Sequence, residues 1–130
     1  HVIGTRYKGK CNGSIADMTT LSFHPVKTVT CGEGGAVLTN SEEYYKKLLL
    51  YRTHGITRDT ELLEHESDGP WYYEQLTLGM NYRLTDIQAA LLLSQLDKLP
   101  EFSRRRKEIV RAYNEAFEKL PQIIVQKEIP

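Results

Sequence analysis

The chain has 130 residues, with 17 Lys and Arg against 17 Asp and Glu and a formal net charge of zero. That balance gives no electrostatic reason to expect nucleic acid or an acidic membrane surface as a partner. No apolar run reaches the ~18 residues needed to span a bilayer, so a soluble cytoplasmic protein of about one ordinary domain is expected.

Residues 1–16 are rich in Gly, Lys and small polar residues and read as loop. Met18 to Phe23 reads as a short strand, and His24 to Lys27 as a turn, because Pro25 cannot donate to a ladder and restricts the residue before it. Val29 to Cys31 is compatible with extended backbone. Gly32, Gly34 and Gly35 punctuate the chain around Glu33, and Ala36 to Thr39 forms a second strand. Asn40 suits a helix N-cap with Glu43 reaching back. The helix it opens runs from Ser41 to about Arg52, with Tyr44, Leu48 and Tyr51 on one face and Gly55 as its stop. Thr57 to Tyr73, holding Gly69-Pro70, reads as a long loop of the kind that often carries function.

Thr85-Asp86-Ile87-Gln88 is a capping box. Its helix is apolar nearly all round (Ile87, Ala89, Ala90, Leu91, Leu92, Leu93, Leu96) and needs a larger body or a second subunit to cover it. Pro100 breaks or kinks that helix. A second one, Glu101 to Leu120, spaces Ile109, Ala112, Tyr113, Ala116, Phe117 and Leu120 by three and four, with Arg104 to Lys107 on a solvated face. Cys11 and Cys31 lack a close pair and indicate neither a disulfide framework nor a zinc site. There is no initiator Met, a loop-like stretch follows His1 at once, and Ile123 to Pro130 reads as an extended segment just begun. A piece of a longer protein is expected.

Two places suit chemistry. In Ser22-Phe23-His24-Pro25-Val26-Lys27, a Pro-stiffened turn at a strand end holds a lysine with little freedom, as a Schiff-base lysine requires, and Ser22 offers a hydroxyl to a phosphate. The plain alternative is a surface lysine beside an ordinary hairpin turn. Gly32-Glu33-Gly34-Gly35 lacks the Gly-Lys-Ser/Thr of a phosphate-cradling P-loop. In Gly79-Met80-Asn81-Tyr82-Arg83, Asn and Arg at a helix entrance can hold an anion, or simply make a turn. His54 reads as a loop histidine, and Trp71, Tyr72 and Tyr73 as packing or interface.

Taken in order, Gly4 to Lys10, Gly13 to Asp17, Ser22 to Lys27, Gly32 to Thr39, Arg52 to Gly55 and Gly79 to Ala90 resemble the DegT/DnrJ/EryC1/StrS sugar aminotransferases. The resemblance implies an α/β chain belonging to a fold type I (aspartate aminotransferase-like) enzyme dependent on pyridoxal 5'-phosphate (PLP). Residues 1–84 would form the C-terminal part of the large cofactor-binding domain, and residues 85–130 the connecting helices and the start of the small domain.

On this resemblance Lys27 is the Schiff-base and proton-shuttling lysine, Ser22 binds the cofactor phosphate, and His1 contacts the cofactor near its phenolic oxygen. Asn81 reaches the phosphate in the neighbouring subunit of a homodimer. The aspartate that pairs with the pyridine nitrogen would precede residue 1, so the 130-residue piece alone is expected to be inactive. Ser22 to Lys27, with Thr30 and Gly-Glu-Gly-Gly, is similar to the branch that aminates C4 of a UDP-linked 4-keto sugar, as in pseudaminic acid precursor synthesis, with glutamate as donor. Family dehydratases carry histidine in place of the lysine. A non-catalytic sensor or interaction module of the same fold is the rival reading, and the intact set of Lys27, Ser22 and Asn81 speaks against it.

Overall fold

The computed structural model describes residue 1 and residues 3–126. Among these residues are three short antiparallel strand pairs and three helices. The first pair, β1 (Arg6–Tyr7) and β2 (Lys10–Cys11), lies in the stretch read as loop. Lys8 and Gly9 both take positive φ, 48° and 78°. Two such residues make the tight turn whose twist matches a hairpin. Lys-Gly lacks the usual Asn-Gly or Asp-Gly signal, which is why composition alone reads as loop here.

β3 (Thr19–Ser22) and β4 (Gly35–Leu38) are the two strands expected around the glycine-rich segment. They pair from Thr19 with Leu38 to Ser22 with Gly35. Val29 to Cys31 is not a strand. It folds back under the hairpin, with the Cys31 amide and the Thr30 hydroxyl both donating to the Phe23 carbonyl, at 3.1 and 2.8 Å. Its apolar side chains go inward, and Phe23, Val29, Cys31 and Leu92 form the buried cluster, flanked by Ile3, Leu21, Ala36, Leu84, Leu96 and Leu99. Burial pushes the Cys31 thiol pKa up, with the Glu33 charge adding to it.

α1 (Glu42–Arg52) starts one residue later than expected, because Ser41 rather than Asn40 is its cap, its hydroxyl accepting from the Tyr44 amide at 3.3 Å. Glu43 reaches forward to Lys47 instead of back to a cap. The expected face of Tyr44, Leu48 and Tyr51 is not a buried stripe, since no residue of α1 is buried. At its end Thr53 and Gly55 donate to the Leu50 carbonyl, and His54 and Gly55 both take positive φ. Gly55 therefore serves as the expected stop. β5 (Ile56–Thr57) and β6 (Glu74–Gln75) pair across the ends of the long loop, which remains irregular between them.

α2 (Asp86–Asp97) carries both halves of the Thr85/Gln88 capping box. Only Leu92 of this helix is buried, while Ile87 and Leu93 are 84% and 64% exposed. Among the described residues most of this apolar helix is left uncovered, with Leu91 also 46% exposed. α3 (Leu99–Phe117) follows after Lys98, with Pro100 in its first turn, where its missing N–H is harmless. Pro100 thus sits inside α3 rather than before it, and the helix ends at Phe117 rather than Leu120. Tyr113 and Phe117 stack at 5.6 Å, and Arg104 and Arg105 pair with Glu108 on the solvated face. Residues 123–126 form no strand, and the rest of the expected extended segment, 127–130, lies outside the described residues.

Candidate active site

The turn after β3 is held by its own backbone. The Phe23 amide donates to the Gly34 carbonyl at 2.8 Å, closing the neck of the segment, and the Lys27 amide donates to the His24 carbonyl at 3.0 Å. The His24 ring accepts from the Val26 amide at 3.4 Å. Pro25 fixes one dihedral between these bonds, so Lys27 leaves a preset turn rather than a free loop. The residue is half-buried, and its Nζ stands 3.1 Å from Nε2 of His1. Either nitrogen can be the donor in that pairing, the imidazole accepting where its proton sits on Nδ1 and donating where it sits on Nε2. Ser22 ends β3 with an exposed hydroxyl that the His24 amide reaches at 3.5 Å. A contact that long leaves the hydroxyl able to serve another partner. His24 also faces Glu33 at 3.8 Å, an exposed pair of little energetic weight.

Asn81 sits elsewhere on the chain. It bridges Thr53 in antiparallel fashion, and the neighbouring bonds run from His54 N–H to the Met80 carbonyl, Met80 N–H to the Tyr51 carbonyl and Tyr82 N–H to the Arg52 carbonyl. Residues 80–82 are thereby laid along the end of α1. This docking depends on two glycines at a backbone crossing. A Cβ on Gly55 would enter the Thr77 carbonyl, and one on Gly79 would enter the Gly55 amide and the His54 carbonyl carbon. Among the described residues no hydrogen bond joins the exposed Asn81 side chain to Lys27, Ser22 or His1. The structure thus brings Lys27, Ser22 and His1 to one turn and leaves Asn81 facing outward.

Two side chains make contacts that no local pattern announces. Glu74, largely buried, accepts from the amides of Glu64 and His65 at 2.5 and 2.9 Å, from the His65 ring at 3.0 Å and from the Tyr72 hydroxyl at 2.8 Å. Desolvation pushes its carboxyl up, but these donors together hold it below the ordinary glutamate value. No spacing rule marks a glutamate that collects donors from a loop. Gln88 is the second. It is legible as a cap, but its other bond runs to a residue 55 positions away.

Compared with solved structures, the chain has the architecture of fold type I, PLP-dependent aminotransferases. It matches Helicobacter pylori PseC, an aminotransferase involved in the biosynthesis of pseudoaminic acid, with a TM-score of 0.79 at 36% identity, covering 91% of this chain and 29% of that one. It also matches the PLP form of the sugar aminotransferase Spr1654 from Streptococcus pneumoniae, with a TM-score of 0.77 at 38% identity, covering 92% and 29%.

Residues 1–130 all match the model of the DegT/DnrJ/EryC1/StrS aminotransferase family, and the chain belongs to that family. It is 43% identical over 119 residues to the UDP-4-amino-4,6-dideoxy-N-acetyl-beta-L-altrosamine transaminase of Campylobacter jejuni, which covers 92% of this chain and 29% of that protein. The chain therefore spans less than a third of the length of these relatives.

The homologous aminotransferases are PLP-dependent. The donor set here fits that cofactor: an amine for its aldehyde carbon, a hydroxyl for its phosphate, and an imidazole within reach of the amine. No helix among the described residues is long and apolar enough to cross a membrane.

Proposed function

We propose that the protein containing this chain is a cytoplasmic, PLP-dependent aminotransferase that moves an amino group from glutamate to the 4-keto carbon of a UDP-linked deoxysugar. The observation that carries this reading is the meeting of Lys27 Nζ and His1 Nε2 at 3.1 Å, at the end of the Ser22–Lys27 turn. The sequence likeness to a UDP-sugar transaminase supports the choice of substrate.

In this reading Lys27 holds the cofactor through its amine, and Nζ then carries a proton between carbon atoms. When bound, PLP supplies the electron sink that lets that proton leave. Ser22 holds the phosphate from the strand end. His1 orients the Lys27 amine and contacts the cofactor ring. Residues 1–84 belong to the large domain, and residues 85–130 lead into the small one. Asn81 serves the site of the partner subunit in a homodimer, which also covers the apolar flank of α2.

Borohydride reduction of the full-length protein followed by peptide mapping should place the pyridoxyl label on Lys27. Label on another lysine would refute the assignment. Sharing of the site is tested by mixing Asn81→Ala and Lys27→Ala subunits. If Asn81 acts across the interface, one site of the mixed dimer carries both lesions and the other neither, so the isolated heterodimer regains up to about half of wild-type activity. If Asn81 acts within its own subunit, every site has one lesion and nothing returns.

A further inference from the structure

A capping box needs only one end of the Gln88 side chain. Its Oε1 accepts from the Thr85 amide at 3.1 Å and from the Thr85 hydroxyl at 2.9 Å. The other end is in use as well, since Nε2 donates to the Glu33 carbonyl at 2.8 Å. Among the described residues this is the only hydrogen bond between α2 and residues 23–34. A glutamate at this helix position would cap as well and would suit the positive end of the helix better. What the amide adds is the donor, and Glu33 takes it.

Glu33 lies at the neck of the loop that bears Lys27. The next residue, Gly34, supplies the carbonyl that receives the Phe23 amide, and the Phe23 carbonyl in turn receives the Cys31 amide and the Thr30 hydroxyl. Leu84, just before the cap, packs so closely that a Cβ on Gly34 would come within 2.9 Å of its Cδ1. The entrance to α2 therefore meets this neck twice, once by packing and once through the Gln88 amide. Asn81 precedes Thr85 by four residues on the same segment.

We infer that Gln88 is a positioning residue whose amide ties the neck of the Lys27 loop to the entrance of α2 and so fixes the register between Lys27 and Asn81. That this register matters to PLP rests on the function proposed above; the tie itself does not.

Gln88→Glu separates the two roles of the side chain, because a carboxylate still accepts from Thr85 but presents no donor to the Glu33 carbonyl. In the full-length, cofactor-free protein, the Ala89 amide, bonded to the Thr85 carbonyl, should keep its hydrogen-exchange protection in this variant. The Phe23 and Cys31 amides should exchange roughly tenfold faster, the scale of one lost hydrogen bond. Gln88→Leu should weaken protection at all three. PLP titrated into the Gln88→Glu protein should bind roughly tenfold more weakly on the same scale. Unchanged protection at Phe23 and Cys31 would overturn the tie. A loosened neck with unchanged PLP affinity would overturn the claim about register. Borohydride label on another lysine would instead remove the Lys27 reading and leave the exchange result standing.

Discussion

Residues 23–34 and residues 58–73 are both irregular, and they are held in opposite ways. The first segment buries Phe23, Val29 and Cys31 and closes on its own backbone, with Phe23 as both donor and acceptor. The second buries none of its residues, and Glu74 from β6 collects donors from Glu64, His65 and Tyr72 within it. A loop built on apolar burial and backbone bonds does not rest on a charged side chain. A loop gathered by a carboxylate depends on that carboxylate staying charged. Lys27 sits on the first kind, which suits a residue that must be aimed.

The largest expected effect breaks the first segment. Val29 is 1% exposed. Val29→Ala should cost about 2 kcal/mol of stability in the full-length protein, from lost burial and an unfilled cavity. A denaturation midpoint that does not move would mean that this cluster does not hold the Lys27 loop. Next, Glu74→Gln should raise exchange at the Glu64 and His65 amides about tenfold, as a charged acceptor becomes neutral, while the Phe23 and Cys31 amides stay protected. Equal loosening of both segments would erase the contrast between them.

The smallest effect is acid. The folded-state pKa of Glu74 lies below its unfolded value. Its contribution is therefore complete above the ordinary glutamate pKa of about 4.3 and is lost as pH falls through the folded value. Exchange protection across residues 58–73, corrected for the intrinsic rate at each pH, should fall below that point and lose this dependence in Glu74→Gln. Acid sensitivity confined to residues 23–34 would reverse the assignment.

Much of this was readable in the residues because the signals are local. The β3–β4 pair follows from two apolar runs around glycines, and the Thr85/Gln88 box from a four-residue spacing. The start of α1 was not readable to one residue, since Asn40 and Ser41 are both good caps. The choice is made by Thr39, whose hydroxyl donates to the Asp17 carbonyl and accepts from the Ser41 amide. Val29 to Cys31 has strand-like residues, but tertiary burial uses them as a plug. The Pro-stiffened turn left Lys27 open between a cofactor lysine and a surface lysine, and only the family resemblance favoured the first, whereas its meeting with His1, 26 positions away, has no local signature. Glu74 is invisible for the same reason, as its donors are defined by a fold and not by a spacing.

The crossing of Gly55 and Gly79 has a consequence for how this chain can drift in sequence. A side chain at either position meets main chain, not another side chain, so no substitution at a neighbouring position can make room for it. Shrinking Thr77 would change nothing, because it is its backbone carbonyl that blocks Gly55. Most tight contacts can be traded, a larger residue here for a smaller one there, and lineages wander along such exchanges. This one offers no exchange: each glycine is fixed separately, and a chain that lost either would have to re-route the segment that presents Asn81.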